Sequence, residues 1–174
     1  AAALGVKLRE LEVHVLITDP SYRALRAARN EGLETFYGEI LSEVAEHDIE
    51  LNHYGTLLAV TGSDSHNALV CTDLALEFDR ARTFQLSAHS LDDNRRSVSY
   101  ALKGRPLFSK PMALEDLMRR HYGGWGFQMT RISEAYPPER FAEAMQADGF
   151  IILVERDEQL LFDSSAAPIE LRLG

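Results

Sequence analysis

Four short apolar runs punctuate the first 87 residues: "VHVLIT" from Val13, "LETFYG", "GTLLAVTG" and "ARTFQLSA". Their length and their β-branched and aromatic content predict strands. The third is apolar throughout, as expected of a parallel strand covered on both faces. The stretches between them carry helical spacing. Leu4, Leu8 and Leu11 mark the end of an amphipathic helix over residues 3–12. "PSYRALRAARNEG" predicts a helix that starts at Pro20, packs Leu25 and Ala28 on one face and is capped by Gly32. "SEVAEHDIEL" reads as a short acidic helix, and "SDSHNALVCTDLALEFD" as one offering Leu69, Leu74, Ala75 and Phe78 for packing. Strand and helix in alternation predict a parallel sheet with helical crossovers, a Rossmann-like α/β unit.

After residue 87 the pattern changes. Residues 88–104 form a polar connector with a short helix around Arg95 to Leu102. "PMALEDLMRRHYGG" then predicts a helix, "WGFQMTRIS" a strand and "PPERFAEAMQADG" a helix entered through prolines. "FIILVER", "QLLFDS" and "IELRL" predict short strands, the first two joined by a turn at Asp157 and Glu158. The expected organisation is a Rossmann-like domain over 1–87, a connector over 88–104 and a small α+β domain over 105–174.

Asp19 ends the first run, and Pro20 removes the next backbone donor. In a dinucleotide-binding βαβ unit an acid at the tip of the second strand takes the ribose hydroxyls, and a glycine-rich turn lies about 20 residues earlier. Only twelve residues precede Val13. Residues 13–18 then read as the second strand, and residues 1–12 as the tail of a crossover helix whose own strand is missing. In the order 3-2-1-4-5-6 that strand is central. Its absence would leave two half-sheets with unpaired backbone groups. A fragment is therefore expected; a complete protein with another sheet order is the alternative.

Composition narrows the function. The chain has 174 residues, 45% of them hydrophobic and 26% charged, as in an ordinary globular protein. The apolar stretches "TLLAV" and "FIILV" are too short to span a bilayer, so no direct membrane insertion is expected, and no signal peptide is visible. Cys71 stands alone, which excludes an intrachain disulfide and a cysteine metal cluster and fits a reduced setting. The net charge is −9; residues 1–90 carry 7 Lys/Arg against 14 Asp/Glu. That argues against nucleic acid, which needs a basic face. A nucleotide remains open, because backbone amides and one or two arginines hold its phosphates.

Six residues form the candidate site. Asp19 either contacts ribose or caps the helix beginning at Pro20. Gly38 and Glu39 follow the next strand, as an adenine border or a simple strand-to-helix turn. Thr61, Gly62 and Asp64 lie between an apolar strand and a helix, where open α/β sheets bind ligands and where ordinary capping by Ser63 or Asp64 also operates. His47, His53 and His66 lack metal-ligand spacing, so no metal site is expected. Cys71 reads as a packed thiol, Trp125 as a core anchor, and Arg95 and Arg96 as a solvated face or a phosphate contact.

The order and spacing of "TDPSYRALRAARNEGLETFYGEILSE" and "YGTLLAVTGSDSHNALVCTDLALEFDRARTFQLS" resemble the RCK or TrkA-N nucleotide-binding region of bacterial monovalent cation:proton (Na+/H+) antiporters. The shared features are the Asp closing a strand, "YG-x-IL-SE", "LLA-x-T-x-x-D-x-x-N-x-L" and "R-x-x-x-QL". The resemblance covers residues 13–87 and continues more weakly through "GRPLFSKPMALEDLMRRHYGGWGFQMTRISE". Glu39 stands where potassium-regulatory relatives usually carry Asp.

The resemblance implies an upstream membrane transporter, a first strand and turn before Ala1, and a place on the cytoplasmic side of the inner membrane. It implies NAD(H) or another adenine nucleotide as ligand, and a homodimer. The leading expectation is a regulatory domain that senses a nucleotide, or pairs with its copy, and gates the antiporter. The alternatives are an NAD(P)-dependent oxidoreductase fragment and a structural dimerisation module. No Tyr-x-x-x-Lys or His-Asp arrangement follows residue 87, so no catalytic residue and no enzymatic activity are expected.

Overall fold

The computed structural model describes residues 1–87, 103–110, 112–145 and 149–173. The connector helix expected around Arg95 to Leu102, with Arg95 and Arg96, lies outside them. The described chain is a mixed α/β structure with parallel sheets. Helix α1 (Ala2–Glu10) leads to strand β1 (Leu16–Asp19), helix α2 (Tyr22–Asn30) and strand β2 (Glu34–Tyr37). Helix α3 (Glu43–Asp48) and a 3-10 turn (Leu51–His53) precede β3 (Leu57–Ala59). Helices α4 (Asp64–Asp73) and α5 (Ala75–Phe78) then lead to β4 (Thr83–Gln85). Beyond the connector come β5 (Arg105–Pro106), α6 (Leu114–Tyr122), α7 (Pro138–Ala144), β6 (Leu153–Arg156) and β7 (Gln159–Phe162).

Strands β1 and β2 form one parallel pair, and β3-β4-β5 form a second parallel sheet. Among the described residues β1 pairs with β2 alone and β3 with β4 alone. Each therefore carries one edge without a strand, as the two half-sheet reading expects. Burial follows pairing. Thr83, Phe84 and Gln85 in β4, flanked on both sides, are buried, whereas every residue of β1 is only partly covered.

Helix α1 folds back along β1: Val13 N–H donates to the Leu8 carbonyl, and a Cβ on Gly5 would meet Leu33, Ile17 and Val15. The N-terminal end of α1 thus points toward the C-terminal end of β1. Two cores carry the rest. Ala59, Val70, Cys71, Leu74 and Phe78 pack under Ile40, Leu41 and Tyr54. Phe84 and Leu86 join Leu107, Phe108 and Phe162 in the second, so β4 and the distal hairpin share apolar contacts. Asp163 ties this junction. Its carboxylate accepts from Ser109 N–H (2.7 Å), Ser109 Oγ–H (2.6 Å) and Ile169 N–H (3.2 Å).

Several local expectations change. The helix expected to start at Pro20 starts at Tyr22, because Ser21 is its cap: Ser21 Oγ accepts from Ala24 N–H. "WGFQMTRIS" forms no strand. Gly123 and Gly124 end α6, Trp125 N–H turns back to the Arg120 carbonyl, and among the described residues no strand pairs with this stretch. Trp125 is consequently an exposed residue beneath the Arg120 guanidinium (4.7 Å) rather than a core anchor. "IELRL" also forms no strand; the Ile169 N–H and the Glu170 carbonyl bond to the Asp163 and Arg156 side chains instead. Of the packing residues named on α4 and beyond, Leu74 and Phe78 are buried while Leu69 is exposed. The turn at Asp157 and Glu158 forms as expected, with φ of 52° and 60°, joining β6 and β7 as an antiparallel hairpin.

Candidate functional site

The six candidate residues all fall at the C-terminal ends of parallel strands, the position at which open α/β sheets bind ligands. Asp19 closes β1 in register with Tyr37 at the end of β2. Its carbonyl accepts from Gly38 N–H (3.2 Å), which brings the first two candidates into direct contact. Its carboxylate Oδ1 accepts from Ser21 N–H (2.7 Å). That bond presets the turn into α2 and fixes the carboxylate at the crest. Gly38 is required by a close approach, since a Cβ there would stand 2.8 Å from the Phe36 ring.

The second half of the site is held by Asn67, the amide of the pattern "LLA-x-T-x-x-D-x-x-N-x-L". Asn67 on α4 is fully buried. Its Oδ1 accepts from Thr61 N–H (3.0 Å) and Thr61 Oγ1–H (2.7 Å), and its Nδ2 donates to the carbonyls of Thr61 (3.0 Å) and Leu86 (3.3 Å). One side chain thereby holds the ends of β3 and β4. The available signal was an amide on the otherwise apolar face of Ala68, Val70 and Cys71, four residues after the cap at Ser63. Ser63 Oγ accepts from His66 N–H, so Ser63 rather than Asp64 caps α4, with Asp64 in the first turn.

His66 joins the two halves. Its Nε2 lies 3.4 Å from Glu39 Oε1, and both side chains are partly exposed. Among the described residues no group of three or more side chains that could hold a metal ion occurs. Gly62 faces α6: a Cβ there would lie 3.3 Å from Glu115 Oε1. Asp19, Gly38, Glu39, Thr61, Gly62 and Asp64 thus stand at a crest of strand ends whose two halves are bridged by the Glu39–His66 pair, with Glu115 beside Gly62.

The opposite ends of β1 and β2 carry different chemistry. A cleft of about 360 Å³ is lined by Arg9, Glu12, His14, Gly32 and Glu34. Glu34 Oε2 lies 2.6 Å from His14 Nε2, and the His14 ring stacks on Tyr54 at 5.1 Å. Burial, and then the Glu34 carboxylate, raise the Tyr54 hydroxyl above its ordinary pKa. Cys71, packed under β4, is raised to about 11 by burial, against the lowering effect of the Gly104 backbone N–H.

Parallel strands, helical crossovers and polar residues at the strand ends define a Rossmann-like α/β module. The TrkA-N domain model matches residues 1–98, more than half of the 174-residue chain, and the chain belongs to this family. TrkA-N domains are generally NAD(H)-binding folds found in the regulation of ion transport. No curated protein and no solved structure matches the chain. Among the described residues no helix is long and apolar enough to cross a membrane.

Proposed function

We propose that the chain is a nucleotide-sensing regulatory domain of a monovalent cation:proton antiporter, working as a homodimer on the cytoplasmic side of the inner membrane. The observation that carries this reading is the crest itself. Family membership supplies the class, and Asp19, Gly38, Glu39 and Thr61 stand where an adenine nucleotide would meet the strand ends. Asp19 offers a carboxylate to the ribose hydroxyls, and Gly38 and Glu39 border the adenine. NAD(H) is the first ligand to try, with ADP and ATP beside it.

Regulation would proceed by population shift. A ligand that prefers one arrangement of the crest biases the chain toward it, and that bias passes to the attached transporter. No turnover is part of this role. Melting the protein with NAD+, NADH, ADP and ATP in turn tests the reading. Saturable stabilisation by at least one of them, lost in Asp19→Ala, is expected; no stabilisation by any nucleotide would remove it.

A second reading draws on a specific pair of contacts. Asp19 Oδ1 is already engaged by Ser21 N–H and Glu39 by His66. In a pairing module that binds no nucleotide, those contacts would be the whole purpose of the acids.

A further inference from the structure

Residues 117–133, "LMRRHYGGWGFQMTRIS", contain Arg119, Arg120 and Arg131 and no acid, in a chain whose net charge is −9. Glu115 and Asp116 bound the stretch on one side and Glu134 on the other. Helix α6 turns Leu114 and Leu117 toward the second core. Its other large apolar side chains find no such cover: Met118 is 45% exposed and Tyr122 80%. The chain beyond the helix continues the strip, with Trp125 at 36% and Met129 at 50% exposure. Arg119, His121 and Arg131 are exposed among them.

The local geometry keeps cation and aromatic together. Trp125 N–H is bonded to the Arg120 carbonyl (3.0 Å), and the Arg120 guanidinium lies 4.7 Å from the Trp125 ring and 5.6 Å from that of Phe150. Arg119 is shared with Asp116 at 3.1 Å, so the strip is not a bare charge cluster. Tryptophan and tyrosine settle at the boundary between water and lipid, and arginines near it are drawn to anionic headgroups.

We propose that this strip, from Met118 to Arg131, is a peripheral docking surface for an anionic lipid bilayer. Charge complementarity selects the partner: a window of three arginines without an acid, on a chain of net charge −9, fits a negative surface. Three arginines near an anionic surface strengthen attachment on the order of a hundredfold. The proposal is independent of nucleotide binding at the crest.

Co-sedimentation of the full chain with vesicles decides it. Vesicles of phosphatidylglycerol mixed with phosphatidylcholine should bind the protein, vesicles of phosphatidylcholine alone should bind it far less, and added salt should weaken the binding. Arg131→Glu should reduce binding by roughly tenfold or more, since it replaces an attraction by a repulsion. The pair Tyr122→Ser and Met129→Ser should reduce it too, while Leu76→Ser on α5, equally a loss of exposed apolar surface, should leave it unchanged. Circular dichroism checks that each variant is folded. Because Tyr122 and Met129 are well exposed, a second route to the answer remains if Arg131→Glu misfolds. Absence of binding to anionic vesicles, equal binding to both vesicle types, or equal loss in Leu76→Ser overturns the proposal. So does a strip whose substitution alters the oligomeric mass and not the vesicle binding, which would make the partner a second copy of the chain.

Discussion

At the scale of single residues, Asn67 and Cys71 show how the crest is held. Asn67 meets four backbone and side-chain partners without contact with solvent, and Leu86, whose carbonyl it bonds, is itself buried. Asn67→Ala leaves that carbonyl unpaired and frees the Thr61 loop, and should cost about 2 kcal/mol of stability. Urea unfolding monitored by circular dichroism measures it. Cys71, one turn further along the same buried face of α4, tests burial. With its pKa raised to about 11 from an ordinary 9.0, the native thiol should react with a disulfide reagent at pH 8 about a hundredfold more slowly than in the unfolded chain, before any steric protection. The unfolded thiol ionises first, so its contribution to stability is complete below pH 9 and is lost as pH rises through 11. Cys71→Ala should flatten that alkaline slope.

At the scale of elements, the structure depends on side chains reaching across sequence. Asp163→Ala removes acceptors from Ser109 and Ile169 N–H groups and unpicks the join between β5 and the β6-β7 hairpin. A loss of about 3 kcal/mol is expected, because charge-assisted bonds to a mostly buried carboxylate are stronger than neutral ones. Guanidinium unfolding measures it, and Asp163→Asn should be milder. The alternation of apolar runs made α1 through β4 legible, since periodicity and caps such as Gly32 are local signals. Asp157 and Glu158 were legible for the same reason. What sequence did not show was long-range. Nothing local says that "WGFQMTRIS" lacks a strand to pair with, or that Asp163 occupies the backbone donor of "IELRL". At the crest, the candidates followed from their places at strand ends. Asn67, His66 and Glu115 are brought there by packing between elements, which no spacing rule records.

At the scale of the whole molecule, the proposed homodimer has two possible contact faces: the edges of β1 and β3 that carry no strand among the described residues, and the face of α4 on which Leu69 is exposed. Exposed edges recruit strands. Light scattering across a dilution series should give a mass above 19.5 kDa that falls on dilution; a constant 19.5 kDa would contradict the homodimer. Leu69→Glu distinguishes the routes, as Leu69 is exposed on α4 and Leu74 is not. A helix-packed dimer should dissociate in this variant, and a dimer joined by strand edges should persist. The proposed regulatory role includes no turnover. NADH mixed with small carbonyl compounds should not be consumed at a rate that any substitution in this chain abolishes.

The central claim is that the crest binds an adenine nucleotide, and amide-resolved NMR tests it at the residues concerned. On titration with NADH and, separately, ADP, the amide signals of Gly38, Glu39, Thr61 and Gly62 should move together and saturably, and Asp19→Ala should weaken the response. Shifts confined to the opposite end, at Arg9, His14 and Gly32, or no shifts with either nucleotide, would contradict it.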